Sequence, residues 1–544
     1  MVEAVLPLAV AAYRRGAALN HEGFPMTCAS SASVSYASQI VTTLGHYIDL
    51  LDSSHLLATP VAANINRAAR IAFVTCDSRE VVSDTLFICK GAAFKEEYLL
   101  SSIEAGAVAY VADHPFAGST VPGIIVTDVR AAMGALADAA YDHPSGKLNV
   151  CAFTGTKGKT TSAFYLKGIL DARAAREGSP SAPILSTILT NDGTGERPAH
   201  LTTPEPLELQ RHLANALANG ATDMVMEASS QALKYGRVAH VDFAVGAFTN
   251  ISEDHISPIE HPTFEDYFAS KLLIFKQSRV GVINLDMDFV DRVLDAAREA
   301  PMCERVVTYS FENPRADVYL SDVTCEGGHL AAKLHTPHFA CELTLPTAAT
   351  FNAANALGAI CCALELGATE NDIVRGLANV TVPGRMEIVE APVSGVTGIV
   401  DYAHNAVSLD ALLTSVRTSY PDRELTVVFG STGVKGLDRR EGMGKVAGLL
   451  ADRIFITEDD EGTEPLEPIC QTIAHFVKDA GNTHYKIVLN REEAIGEAVA
   501  TATRPAVIVV AGKGHELRML RANGPEPYPG DANVLSATFE KLFD

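Results

Sequence analysis

The chain has 544 residues, 47% of them apolar and 20% charged. At ~100–200 residues per domain, that length suggests roughly three domains, and the composition excludes global disorder. The formal net charge of −23, from 43 basic and 66 acidic residues, argues against the nucleic-acid backbone as a partner. Small phosphorylated ligands stay open, because local donors bind them.

No apolar stretch approaches the ~20 residues that would span a bilayer. The apolar start, Met1 to Tyr13, is followed rather than preceded by Arg14 and Arg15, the wrong polarity for a signal peptide. Ten cysteines include no Cys-x-x-Cys pair, and most sit in apolar context, such as Leu86-Phe87-Ile88-Cys89. They read as free thiols of a reducing cytoplasm. The expectation is a cytoplasmic monomer that meets neither nucleic acid nor membrane.

Residues 1–70 carry the least readable pattern. Thr75-Cys76-Asp77-Ser78-Arg79 and Asp84-Thr85-Leu86-Phe87-Ile88 follow; alone, Asp-Ser-Arg is a common turn. Asp142-His143-Pro144-Ser145-Gly146 is a polar breaker cluster and a candidate boundary. Beyond it the spacing predicts a strand at Leu148–Phe153, a glycine loop, and a helix at Thr160–Asp171. Further buried strands are expected at Asp223–Glu227, Phe243–Phe248 and Val280–Leu285. Val382-Pro383-Gly384 is a second turn signal. After it, strands are expected at Leu425–Gly430, Arg453–Thr457, Tyr485–Leu489 and Ala506–Val510. Alternating strands and helices predict an α/β fold of parallel sheets, with ligands at the carboxyl ends of strands. The expected domains are 1–145, 146–383 and 384–544.

The loop Thr154-Gly155-Thr156-Lys157-Gly158-Lys159-Thr160-Thr161 carries the strongest chemical signal. Glycines let backbone N–H groups approach phosphate oxygens, and a helix start adds positive potential. Lys159 would reach the β- and γ-phosphates, and Thr160 would offer its hydroxyl to Mg²⁺. The usual first glycine is replaced by Phe153. Taken singly, Glu227 reads as a strand-end carboxylate, His255 as a loop histidine and Lys271 as a solvated helix residue.

Together these segments resemble the Mur ligases, the amide-forming enzymes of peptidoglycan assembly, and within them the tripeptide-forming type. Thr154–Thr161 is similar to their ATP loop. Met226-Glu227-Ala228-Ser229-Ser230-Gln231-Ala232-Leu233 resembles their Glu-x-Ser-Ser-His-x-Leu, with Gln231 in place of histidine. Thr249-Asn250-Ile251-Ser252-Glu253-Asp254-His255 and Tyr267-Phe268-Ala269-Ser270-Lys271 resemble two further motifs in the same order.

The resemblance implies three domains: an N-terminal α/β domain for the uridine nucleotide, a central P-loop ATPase domain and a C-terminal Rossmann-like domain. It implies ATP at Gly155, Thr156, Lys157, Gly158, Lys159, Thr160, Thr161, Asn355, Arg385 and Asp401. Mg²⁺ would take Thr160, Glu227 and His255, with Lys271 carbamylated; Lys159, Glu227, His255 and Lys271 would be catalytic. The UDP-muramoyl-dipeptide would meet Ser78, Arg79, Thr202, Thr203, Ser229 and Arg237, the last pairing bidentately with an anion. The incoming amino acid would meet Arg440, Asp459, Asp460, Gly512 and Glu516.

The most informative departure is Thr457-Glu458-Asp459-Asp460-Glu461-Gly462-Thr463-Glu464-Pro465. Members that add meso-diaminopimelate carry Asp-Asn-Pro-Arg here, and their arginine grips the distal carboxylate. Gly462 stands at that arginine's place, among five acidic residues. Such a pocket disfavours a distal carboxylate and favours a distal ammonium. L-lysine is the expected substrate, with L-ornithine or meso-diaminopimelate as alternatives. A ligase-like amidotransferase subunit is a further alternative, but the cysteine cluster usual in such subunits is missing.

Overall fold

The computed structural model describes residues 34–91, 93–253, 256–257, 260–391, 395–434, 437–503 and 505–543. The chain separates into two compact units. One holds the described residues of Met1–Val150, Gly178–Met224 and Ala232–Asp242; the other holds Cys151–Glu177, Val225–Gln231 and Phe243–Asp544.

The first unit contains a fully parallel sheet in the order Phe73–Thr75, Thr85–Ile88, Ala107–Ala112, Gly123–Ile125. Its strands are apolar on both faces because both are covered. Val74, Leu86, Ile88, Val111 and Ile124 pack on the helices Leu44–Ser53 and Val129–Ala140, while Phe87, Tyr110 and Ala112 fill a second core. The breaker cluster is a real corner: Asp142 and His143 have positive φ, and a 3₁₀ turn covers Pro144–Lys147.

The second unit carries two sheets. One runs in the order Asp223–Glu227, Asn149–Thr154, Phe243–Phe248, Ser278–Asn284 and Arg305–Ser310. Val318–Glu326 adds to that edge in parallel, and His329–His335 and Ala340–Leu345 then continue it antiparallel. The other runs Glu387–Glu390, Val396–Asp401, Ala506–Ala511, Glu424–Phe429, Arg453–Ile456 and Tyr485–Ile487, parallel after its first strand. Alternate residues of each central strand enter opposite cores. Leu425, Val427, Phe429, Val507 and Val509 go one way, and Val428, Ile508 and Val510 the other. That doubly covered arrangement leaves the carboxyl ends of the strands, and the loops that follow them, for chemistry.

The helix after the glycine loop, Lys159–Glu177, runs past its expected end at Asp171. Two helices hold it in place: Phe351–Glu365, whose buried row is mostly Ala, Gly and Cys, and Glu370–Leu377. The second starts with a capping box: Thr369 Oγ1 accepts from the Asp372 N–H, and Asp372 accepts from the Thr369 N–H. The same Asp372 carboxylate takes two bonds, 2.9 and 2.8 Å, from Arg176 at the far end of the glycine-loop helix. Replacing Thr369 by Ala is expected to destabilise the second unit by about 1 kcal/mol. Thermal unfolding of Thr369→Ala against wild type checks it.

Candidate functional site

The glycine loop leaves the strand Asn149–Thr154 and enters the helix Lys159–Glu177. Gly155 and Gly158 have φ of +148° and +84°, a region that residues with a Cβ rarely enter. A Cβ on Gly158 would also lie 2.2 Å from Asn355 Oδ1. Thr249 and Asn250, at the end of the neighbouring strand, brace the loop. The Asn250 carbonyl accepts from Thr156 N at 3.0 Å and its side chain from Lys157 N at 2.8 Å, while Thr249 Oγ1 donates to the Lys157 carbonyl at 2.7 Å.

Two ammonium groups converge on one backbone oxygen. Lys159 Nζ and Lys271 Nζ each donate to the Gly155 carbonyl at 2.8 Å. Lys271 is buried and lies 4.5 Å from the centre of the Tyr267 ring, whose hydroxyl donates to Thr156 Oγ1 at 3.2 Å. Lys271 is therefore not a solvated helix residue. Glu227 is fully buried and accepts from Thr160 Oγ1 at 2.9 Å. Among the described residues no three His, Cys, Asp or Glu side chains gather as a metal site. The Thr160–Glu227 pair is nonetheless a hard oxygen donor set of the kind Mg²⁺ uses with phosphates and water. His255 lies outside the described residues. Asn355, beside Gly158, donates to Asn352 Oδ1 at 3.0 Å. Ser229 follows Glu227 at the mouth of the same strand; next to it, Ser230 Oγ lies 2.9 Å from His261 Nε2.

In the first unit, Ser78 and Arg79 stand on the turn after Phe73–Thr75. The Arg79 guanidinium is exposed and donates from Nε to Asp77 at 2.8 Å. Thr202 accepts from Thr187 at 3.1 Å, and Thr203 is buried. Arg237, expected to face an anionic ligand, instead has Nε 2.8 Å from Glu205 and donates from Nη1 to the Thr203 carbonyl at 3.2 Å. Lys90 joins the same Glu205.

The remaining residues lie around the carboxyl edge of the C-terminal sheet. Asp401 ends its strand half-buried. Its oxygens accept from Met386 N at 2.7 Å and Ala403 N at 2.8 Å, and burial raises its pKa. The Arg385 guanidinium lies 4.4 Å above the Tyr402 ring. The acidic segment is drawn into ion pairs with its surroundings. Glu458 and Glu461 bind Arg521, the latter at 2.9 Å. Asp460 binds Lys513 at 2.8 Å, and Glu516 binds the same ammonium at 2.6 Å. Arg440 grips Glu464 with two bonds, 2.8 and 2.7 Å, and pulls that carboxyl down to about 2. Asp459 is left as the exception. It is 4% exposed, and burial lifts its pKa to about 7 against the pull of Arg491 and Lys513. Its Oδ2 would lie 2.3 Å from a Cβ on Gly512, so glycine is required there.

Among the described residues, eight buried side-chain polar atoms have no hydrogen-bond partner, and four of them lie at this edge: Ser431 Oγ, Arg440 Nε, Glu461 Oε2 and His515 Nδ1. Leaving such atoms unsatisfied costs about 1–3 kcal/mol each, so their clustering marks a place built for a polar ligand. Burial, with Arg385 and Lys513 adding repulsion, holds His515 down to about 4, so it is neutral at pH 7. Sequence reasoning missed Lys513, Arg521, Arg491 and Ser431. Lys513 lay in plain view inside Gly512-Lys513-Gly514-His515-Glu516, whereas Arg521 has no motif around it.

Two family models match the chain: the Mur ligase middle domain over residues 153–363, and the Mur ligase glutamate ligase domain over residues 384–514. The UDP-N-acetylmuramoyl-L-alanyl-D-glutamate--L-lysine ligase of Enterococcus faecalis is 41% identical over 472 residues, covering 86% of this chain and 91% of the relative. The UDP-N-acetylmuramyl-tripeptide synthetase of Lactobacillus delbrueckii subsp. bulgaricus is 37% identical over 524 residues, covering 92% and 99%. Among solved structures, a UDP-N-acetylmuramoyl-L-alanyl-D-glutamate--2,6-diaminopimelate ligase shares the fold. Its TM-score is 0.67 at 23% identity, with 93% of this chain and 100% of that one covered.

The geometry of the glycine loop leads to a direct test. Gly158→Ala adds a Cβ both at a disfavoured φ and against Asn355. It is expected to weaken binding of a fluorescent ATP analogue at least about tenfold, or ~1.4 kcal/mol, with the far-ultraviolet dichroism unchanged.

Proposed function

The chain belongs to the Mur ligase family, and we propose that it joins L-lysine to UDP-N-acetylmuramoyl-L-alanyl-D-glutamate in an ATP-driven amide synthesis. In this reading residues 1–145 hold the uridine nucleotide, 146–383 hold ATP and 384–544 hold the amino acid. One observation carries the choice of lysine: at the carboxyl edge of the C-terminal sheet, carboxylates outnumber the cations that pair with them, and among the described residues Asp459 is the one of them without an ion pair. A side chain ending in an ammonium completes that balance, whereas one ending in a carboxylate worsens it. The relatives named as lysine ligases support the same choice.

The reaction has to bring a carboxylate against the γ-phosphate. The γ-phosphoryl group moves to the terminal glutamate carboxylate: a new P–O bond forms and the bond to ADP breaks. The α-amine of lysine then attacks the acyl carbon, the C–O bond to phosphate breaks, and the amine's proton is released. Lys159 lies over the loop where the phosphates would sit and offsets their charge. Thr160 and Glu227 would hold Mg²⁺, which supplies screening between the two anions. Tyr402 donates to Glu516 at 3.3 Å and orients that carboxylate toward an ammonium of the incoming amino acid.

Phosphate release with the UDP-muramoyl-dipeptide, ATP and each diamino acid in turn tests the reading. L-lysine should give the highest kcat/KM; release that is faster with meso-diaminopimelate would sink the assignment.

Asp459 adds a pH signature. Its pKa is raised to about 7, so the pocket loses an anion as pH falls through that value. The lysine ε-ammonium, at ~10.4, stays charged throughout. The KM for lysine should therefore fall up to about tenfold between pH 6 and pH 8. Initial-rate titrations of wild type and Asp459→Asn check it, and the variant should show a flat, high KM.

A further inference from the structure

Arg491 belongs to no motif and makes no part of the reaction above. It opens the helix Arg491–Ala500 and is fully buried. Each of its three guanidinium nitrogens is bonded. Nε and Nη2 donate to the two oxygens of Asp531, each at 2.7 Å. Nη1 donates to the Glu458 carbonyl at 3.2 Å, and Nη2 also donates to the Ala511 carbonyl at 2.8 Å. Its backbone N–H donates to Glu458 Oε1 at 3.0 Å. Asp531 is held in turn by the Tyr528 hydroxyl at 2.7 Å.

The two carbonyls are what matter. Glu458 immediately precedes Asp459, and Ala511 immediately precedes Gly512, the residue whose missing Cβ makes room for Asp459. The strands that lead to them, Arg453–Ile456 and Ala506–Ala511, are not neighbours, because Glu424–Phe429 lies between them. No ladder bond fixes their ends relative to each other; the Arg491 fork does so at the backbone, beside the Lys513–Asp460 ion pair. Arg491 is also the strongest charge that favours ionised Asp459, ahead of Lys513, while Asp460 and Glu516 oppose ionisation. A planar, permanently charged fork suits both tasks in a way that lysine does not.

We infer that Arg491 is a positioning residue for amino-acid specificity: it clamps the acidic loop to the Gly512–Glu516 segment and so sets Asp459 in place for the substrate's distal ammonium. The inference rests on the proposed lysine chemistry.

The test is steady-state kinetics of the full chain, with KM measured separately for lysine, ATP and the UDP-muramoyl-dipeptide. Two variants are needed. Arg491→Lys keeps the charge and loses the fork. Arg491→Met combined with Asp531→Leu removes the buried pair as a unit, a replacement that often leaves folding intact. Both should raise the lysine KM about tenfold or more, with the other two KM values within about twofold. The pH midpoint of the lysine KM should stay in place in Arg491→Lys and move upward in the double variant. A lysine KM within about twofold of wild type in either folded variant overturns the inference, as does a parallel rise in all three KM values. Failure of both variants to fold assigns Arg491 to stability alone and also overturns it. If wild type turns over another diamino acid instead of lysine, the substrate reading fails, and the same split measured with that amino acid still decides the role of Arg491.

Discussion

A carboxylate taken out of water must be paired or protonated, and that rule organises the carboxyl edge of the C-terminal sheet. Glu458, Asp459, Asp460, Glu461, Glu464, Glu516 and Asp531 crowd there, and Arg440, Arg491, Lys513 and Arg521 answer them. Much of the local architecture follows. The hairpin Arg518–Arg521 and Gly524–Pro527 brings Arg521 over the acidic loop, and the Leu520 N–H caps Asp460 at 2.7 Å. Gly512 is a glycine because Asp459 occupies the space of its side chain. The balance stops short of neutrality, which is how a site can hold a stable fold and still attract a cation.

The glycine loop is built with the opposite sign. Two lysines share the Gly155 carbonyl, and Thr249 and Asn250 fix a backbone that glycine alone permits. One chain thus carries a cationic corner suited to phosphates and an anionic one suited to an ammonium. The net charge of −23 describes neither. The proposed reaction needs both, since it activates an anion and then delivers an amine to it.

The expected strands coincide closely with the folded ones: Asp223–Glu227 and Phe243–Phe248 match residue for residue. Parallel strands covered on both faces are continuous apolar runs, and such runs are visible in one dimension. The antiparallel meander from Val318 to Leu345 escaped notice because its strands alternate buried and exposed residues among charged ones. The helix Leu44–Ser53 was lost in the unreadable start. At the site, local motifs located the loops but not their charge state. The partner of Glu458 and Glu461 could not be named from the sequence, because it lies about 60 positions away on a hairpin without a motif. The tie of Arg237 to Glu205 likewise joins distant segments. Pairing across long sequence separations is a property of the fold, and composition does not encode it.

Calorimetric binding of L-lysine and of L-norleucine, measured side by side with the UDP-muramoyl-dipeptide and a non-hydrolysable ATP analogue present, tests the charge account most directly. The two amino acids have similar length and differ in the distal ammonium. Unsatisfied anions at the carboxyl edge predict that lysine binds at least about 100-fold tighter, a difference of ~2.7 kcal/mol. Norleucine binding within about threefold of lysine would contradict the account, because the surplus carboxylate would then contribute nothing to recognition.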